Sequence, residues 1–223
     1  MSSTEVSPVT GSASMSLADL AYERLRDRLV MLDIRPGEPI NDSRLAAELG
    51  VGRTPVREAL KRLETDHLVV SYPRRGTFAT TIDVTELGAI SDIREQLMPF
   101  AARRAAVHAS GAMRDTLRAK ADDVRSLESP RGDRTAMMRT DMSLHRLIYK
   151  AAGNPHLEDV LIRYDNLATR IWCLVIDRLP DFAHHVTEHA DLLEAVADGD
   201  ADRAELLTRE HIAGFAREIR GVL

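Results

Sequence analysis

The sequence predicts a mainly α-helical protein: an N-terminal winged helix-turn-helix followed by an all-α antiparallel bundle of about six helices. Three observations carry this. Aromatic residues are only 4% of the 223-residue chain while Ala, Leu and Arg abound, a bias toward helix over sheet. Apolar residues recur at three- and four-residue steps over most of the chain. The exception is LVVSYPRRGTFATT, residues 68–81, where the period drops to two around a Pro-Arg-Arg-Gly turn.

The elements follow in order. Residues 1–15 are Ser/Thr-rich, lack the basic and apolar regions of a signal peptide, and read as a disordered tail. From Ser16 the spacing of Leu17, Leu20, Ala21, Leu25, Leu29 and Leu32 predicts a helix, which RPGEPI ends in an extended piece. Asn41 or Asp42 is expected to cap a short helix through Glu48, closed by Gly50, with Val51–Gly52 as the turn. Thr54 is the expected cap of the next helix. Pro55 would take its first position, where a missing N–H costs nothing, and the helix would run to about Asp66. Val56, Ala59, Leu60 and Leu63 fall on one face, while Arg53, Arg57 and Lys61, four apart, form a stripe on another.

After a linker around Thr81–Thr85, six segments read as helical: 84–108, 112–128, 132–152, 155–178, 181–198 and 201–221. The breaks are SGA at 110–112, SPRGD at 129–133, GNP at 153–155, Pro180, and DGD at 198–200. The domain division expected is therefore 16–81 and 82–223.

Composition narrows the function. With 44% hydrophobic and 29% charged residues, the chain can bury a real core and is not disordered as a whole. The longest clearly apolar run, Ile171–Ile176, is far below the roughly 20 residues a bilayer needs, so no membrane partner is expected. A single cysteine, Cys173, excludes an intramolecular disulfide framework, fits a reducing cytoplasm, and reads as a buried small hydrophobe. The net charge is −5, yet Arg53–Gly76 holds six basic against three acidic residues. A local basic patch on an acidic protein points to a polyanion partner. With the turn spacing and the arginine-tipped hairpin, that partner is double-stranded DNA.

In the helical half, Asp141 and His145 are four apart on one helix face, with Met137, Leu144, Ile148 and Ala151 turning Asp141 toward the core. A buried carboxylate needs partners. His189 and His211 lie on other predicted helices among apolar neighbours. From spacing alone these are either satisfied polar core residues or a Zn²⁺, Ni²⁺ or Mn²⁺ site with open positions. His185, four before His189, could compete as a ligand; His67, His108, His156 and His184 read as ordinary surface or structural residues.

The stretch SRLAAELGVGRTPVREALKRLETDHLVVSYPRRGTFAT resembles the N-terminal domain of GntR-family bacterial transcription regulators, through RTPVREAL and the P-x-x-G wing. The helical half resembles the ligand-sensing FCD domain of the family's FadR-like branch, through Asp141-Met-Ser-Leu-His145, Gly153-Asn154, His189 before Leu-Leu-Glu-Ala-Val, and His211 in Arg-Glu-His-Ile. The resemblance implies a dimeric, cytoplasmic repressor on a palindromic operator. It assigns Arg53, Thr54 and Arg57, with Lys61 on the same stripe, to DNA, and Arg75 with Gly76 to the wing tip. Pro55 and Val56 would shape and pack the helix. It assigns Asp141, His145, His189 and His211 to a divalent metal, Zn first and Ni or Mn as alternatives, and favours His189 over His185. It also implies a small carboxylate effector held by the metal's open positions and an arginine, Arg94 or, as a second candidate, Arg170. The chain departs from the pattern twice. Ser43 stands where the best-studied member has a DNA-contacting arginine, with Arg44 beside it, and Met98 replaces the usual glutamate four residues after Arg94. Two rival functions are a metal-dependent hydrolase, which lacks the general base of an H-E-x-x-H run, and an architectural DNA binder with a purely structural metal.

Overall fold

The structure, a computed structural model, describes residues 15–126, 133–179 and 182–223. The expected tail, most of the SPRGD break and the break at Pro180 lie outside the described residues.

Helix α1 (Leu17–Val30) starts at Ser16, whose side chain accepts from the Asp19 N–H. The extended piece that follows contains a two-residue strand, β1 (Pro39–Ile40). Asn41, rather than Asp42, caps α2 (Asp42–Leu49), and Gly50 closes it in the left-handed conformation that glycine adopts without a Cβ clash. Helix α3 (Arg53–Thr65) corrects the expected cap: Gly52 holds the extended cap position with no side-chain bond. Arg53 is thus the first helical residue, and Thr54 is left exposed instead of capping. Pro55 is the third helical residue, still within the first turn whose N–H groups have no helical partner.

Strands β2 (Val69–Tyr72) and β3 (Gly76–Ala79) form the wing hairpin. β1 adds to it on the far side of β3, giving a three-stranded antiparallel sheet of order β1-β3-β2. Register is fixed by Val70 opposite Phe78 and Tyr72 opposite Gly76, and the Tyr72 and Phe78 rings meet edge to face.

A short 3-10 turn capped by Asp83 leads into α4 (Leu87–His108), which packs against four later helices and forms the axis of the bundle. These are α6 (Arg134–Ala151), α7 (Pro155–Cys173), α9 (His189–Asp198) and α10 (Ala201–Val222). The remaining helices are α5 (Gly111–Arg125), which lies along α9, and the short α8 (Phe182–Thr187). Two expectations are corrected. The segment 155–178 ends as an α-helix at Cys173 and turns through a 3-10 stretch, and the segment 181–198 is two helices that part at Glu188. Seven α-helices therefore build the bundle among the described residues, not six.

The winged helix does not hang from a linker. One apolar core runs from Leu25, Leu29, Leu63 and Leu68 of the winged helix into Ile90, Met142, Ile171 and Trp172 of the bundle. Around it lies a polar seam of arginines spaced seven apart on α6 and α7. Arg139 reaches Asp33 at 3.1 Å, Arg146 reaches Asp27 at 3.6 Å, and Arg163 reaches Asp66 at 3.5 Å. Arg170 grips Thr80 through the side-chain oxygen at 2.5 Å and the carbonyl at 2.7 Å. A seven-residue step returns to one helix face, so each helix offers one edge to the winged helix. Cys173 is half-buried rather than buried, its thiol pushed up to about 12 by burial, and is chemically quiet.

Truncating Leu25, fully buried where the two halves share this core, is expected to cost about 2–5 kcal/mol. Urea unfolding of Leu25→Ala, followed by circular dichroism, measures it. A loss below about 1 kcal/mol would mean that the shared core is not a single cooperative unit.

Candidate nucleic-acid interface and metal centre

On α3 the buried Val56, Ala59, Leu60 and Leu63 dock the helix, and Arg53, Arg57 and Lys61 are left in solvent. The structure adds a residue that sequence reasoning missed. Asp42, at the start of α2, accepts from Arg57 Nε at 2.7 Å and from Arg53 at 3.2 Å. The hydrogen bonds from Arg57 and Arg53 hold its carboxyl below the usual carboxylate range, and both guanidiniums converge on it. An acid that can cap a helix gives no sign in sequence that it will instead orient arginines eleven and fifteen residues on.

Arg57 and Lys61 share a cleft of about 400 Å³ with Ser71, Thr77 and Gly76 of the wing. Gly76 has φ +96°, a conformation only glycine takes without strain, and Arg75 stands exposed at the hairpin tip beside it. Thr54 is exposed one residue along from Arg53. Ser43 is exposed and hydrogen-bonds Asp42, whereas Arg44 turns back onto Glu38 and Glu48, away from this edge.

The second site lies inside the bundle. Asp141 and His145 of α6, His189 at the start of α9 and His211 of α10 bring one ligand atom each within 4.8 Å of one another, and all are buried. His145 Nε2 is 3.6 Å from Asp141 Oδ2, His189 Nε2 is 3.7 Å from Oδ1, and the two Nε2 atoms are 3.2 Å apart. The outward nitrogens are tied. His189 Nδ1 meets the Val186 carbonyl at 3.2 Å, and His211 Nδ1 meets Glu188 Oε2 at 2.9 Å. Those partners fix the tautomers that leave each Nε2 lone pair pointing inward.

Burial, reinforced by the neighbouring rings, pushes His145 and His211 well below the ordinary imidazole range and His189 down to about 4. All three are therefore neutral, the form that coordinates metals. Burial raises Asp141 as well, against the pull of His189, His211 and Arg94. Asp141 Oδ1 and His211 Nε2 make no hydrogen bond. Two buried acceptors without hydrogen bonds, within one cluster, are a fault in a purely structural core, and they are what a cation needs. The residues present thus fit a divalent metal.

Arg94 is buried beside them. It pairs with Asp165 of α7 at 3.0 Å, lies 4.6 Å over the Trp172 ring, and lines a small cavity with Ser91, His145, His185 and His211. That cavity measures about 10 Å³, the lower limit for one water. Met98, one turn on from Arg94, is buried in the apolar core of the bundle and does not line this cavity. Asp165, 71 residues from Arg94, has no local motif to announce it; its carboxyl is raised to about 6 by burial, partly offset by Arg94. The second arginine candidate, Arg170, is corrected in position: its guanidinium is committed to Thr80 at the junction with the winged helix and does not reach the Arg94 cavity. Burial without a carboxylate partner lowers its pKa to about 10.

A helix-turn-helix with an exposed arginine edge, packed on a helical bundle, is the build of a DNA-binding transcription regulator. Residues 17–79 match the family described as "Bacterial regulatory proteins, gntR family", and residues 89–214 match the FCD domain. The chain belongs to the GntR family of bacterial regulators, in the branch that carries an FCD domain. It is 29% identical over 188 residues to the Nta operon transcriptional regulator of Aminobacter aminovorans, covering 82% of this chain and 85% of that one. It is 23% identical over 201 residues to the HTH-type transcriptional repressor RspR of Escherichia coli, covering 90% and 88%. Escherichia coli McbR/YncC shares the fold, with a TM-score of 0.78 at 19% identity over 93% of this chain and 99% of that structure. The Aminobacter and RspR relatives are named as a transcriptional regulator and a transcriptional repressor, not as enzymes. Among the described residues no helix is long and apolar enough to cross a membrane.

Removing Asp42 separates its orienting role from its charge. Asp42→Ala should raise affinity for random-sequence duplex at low salt and lower the ratio of operator to random binding, read by fluorescence anisotropy at fixed salt. An unchanged ratio would mean that the Asp42 bridges do not govern how the arginines read bases.

Proposed function

We propose that this chain is a homodimeric repressor that binds a palindromic operator and is controlled by a small organic acid in a metal-containing helical domain. The division into a reading domain at 16–81 and a sensing domain at 82–223 is part of that reading. The observation that carries it is the buried Asp141, His145, His189 and His211 cluster with two orphaned acceptors, one cavity wall away from Arg94.

On the DNA side, Arg53 and Arg57 present guanidiniums that can fork onto guanine O6 and N7 in the major groove, with Lys61 and Thr54 alongside for phosphate or base contact. Arg75 and Gly76 bring the wing close to the backbone or minor groove. A two-fold dimer sets two such heads on half-sites whose spacing mirrors the protein's symmetry.

On the sensing side, a bound divalent ion, Zn²⁺ first with Ni²⁺ or Mn²⁺ as alternatives, supplies a Lewis-acid anchor for a carboxylate oxygen. Arg94 supplies the opposite anchor. Its pairing with Asp165 must loosen to admit an acid, because the cavity holds no more than one water. Asp165 sits on α7, and Arg170 lies about one and a half turns further along the same helix, where it grips Thr80. Thr80 in turn donates to the His67 carbonyl at 2.8 Å, at the turn from α3 to β2. An acid that competes for Arg94 therefore bears on the helix that holds the reading head, a coupling by differential binding to two arrangements.

Arg57→Ala should weaken operator binding by about 1–3 kcal/mol with helicity and oligomeric state unchanged. Titration by anisotropy at fixed salt measures this; wild-type affinity would remove Arg57 from the reading edge. Asp141→Asn should lose stoichiometric Zn²⁺ by elemental analysis while retaining operator binding in the absence of acid. Full metal content in that variant would move the metal elsewhere.

A further inference from the structure

Three arginines are buried among the described residues, and two of them have an acid: Arg26 pairs with Glu23 and Arg94 with Asp165. Arg170, at 2% exposure, is the exception. Its terminal nitrogens donate to the side-chain oxygen and the carbonyl of Thr80, and its Nε has no hydrogen-bond partner. Among the described residues no carboxylate stands near enough to offset its burial, which lowers it to about 10 and so leaves it charged at neutral pH. Arginine is seldom buried without a counter-charge, because an unpaired charge out of water is costly. The neutral oxygens of Thr80 take two of its N–H groups and compensate none of its charge.

The space beside Arg170 can hold what is missing. The guanidinium lines a cleft of about 350 Å³ between α7 and the chain leaving the wing, at the lower end of the volumes that hold small ligands. Ile90, Leu167 and Ile171 give the cleft an apolar wall, while Asp83 and Glu86, both exposed, place acid at its rim. Asp83 turns Oδ1 to the N–H and hydroxyl of Thr85, and neither rim acid forms an ion pair with Arg170. The cleft thus carries positive charge in its depth and negative charge at its mouth. A simple anion would gain Arg170 and meet two like charges on the way in. A molecule with a carboxylate at one end and an ammonium at the other matches both.

We propose that this cleft binds an α-amino acid with a short aliphatic side chain. Its carboxylate takes the unused N–H groups of Arg170, its ammonium faces Asp83 and Glu86, and its side chain lies against Ile90, Leu167 and Ile171. The site is separate from the Arg94 cavity and involves no metal. Arg170 keeps its hold on Thr80, since the carboxylate uses N–H groups that Thr80 leaves over. The occupant therefore touches α7 on one side and the chain leaving the wing on the other, and bridges the bundle to the reading head.

Isothermal titration calorimetry of the full-length protein with L-valine tests this. Two truncated probes accompany it: 3-methylbutanoate, which lacks the ammonium, and 2-methylpropylamine, which lacks the carboxylate. Valine should bind the wild type about tenfold or more tighter than either. Arg170→Gln, which can still donate to Thr80, should weaken valine about tenfold or more, the scale of a lost charged hydrogen bond. Glu86→Gln, an exposed change, should weaken valine about two- to fivefold and should not weaken 3-methylbutanoate. Valine that does not bind the wild type, truncated probes that bind as well as valine, or valine affinity unchanged in both variants would overturn the proposal. If Arg170→Gln does not fold, the probe comparison on the wild type and Glu86→Gln still decide. Neither the metal nor Arg94 enters this test, so its failure leaves the reading of the Asp141 cluster as it stands.

Discussion

A carboxylate at 1% exposure in the middle of a helical bundle is the constraint from which most of this structure follows. Moving an ionised carboxylate out of water costs several kcal/mol even after relaxation. Asp141 is tolerated because rings from α6, α8, α9 and α10 surround it and Arg94 of α4 adds positive potential nearby. Each of those helices must present one particular face to one point. The site therefore fixes the rotation of the helices around it, and the apolar clusters fill what remains.

The second organising element is α7. Its inner face carries Asp165 for Arg94 and Trp172 beneath the same guanidinium; its outer edge carries Arg163 and Arg170 for the winged helix. A rigid helix with opposed commitments is well suited to pass a change at one end to the other, because packed interfaces shift between discrete arrangements and do not deform continuously. The seven-residue spacing of Arg139 with Arg146, and of Arg163 with Arg170, makes the seam between reading head and bundle a row of separate polar contacts. The exposed Arg139–Asp33 pair adds little stability by itself. The shared apolar core holds the halves together, and the seam sets their relative orientation.

The DNA edge follows a different logic, since it must be pre-arranged and still exposed. In the proposed reading Asp42 does this by holding Arg53 and Arg57 with a charge that DNA would displace, phosphates and base acceptors offering the same hydrogen bonds. Arg44 pairs instead with Glu38 and Glu48, so the proposed reading edge is that of α3 and the wing.

Much of this was legible in the residues alone, because local periodicity and turn chemistry are local physics. The three-to-four-residue steps, the Gly50 closure, the basic stripe opposed to Val56, Ala59, Leu60 and Leu63, and the wing turn at Pro73–Gly76 depend on neighbours a few positions away. The sequence by itself also carried the Asp141–His145 pair, since four residues on a helix is a contact. What it placed wrongly was local competition: Gly52 took the cap expected of Thr54, and the segment 181–198 broke at Glu188, which carries His185 and His189 on separate helices. Only the tertiary structure decided which long-range partners meet: Arg94 with Asp165, Arg170 with Thr80, Asp42 with the two arginines, and His185 with Asp141. The physical reason is that these contacts come from how helices rotate and pack to satisfy buried charge, and a side chain's spacing along its own helix carries no record of what another helix will bring to it.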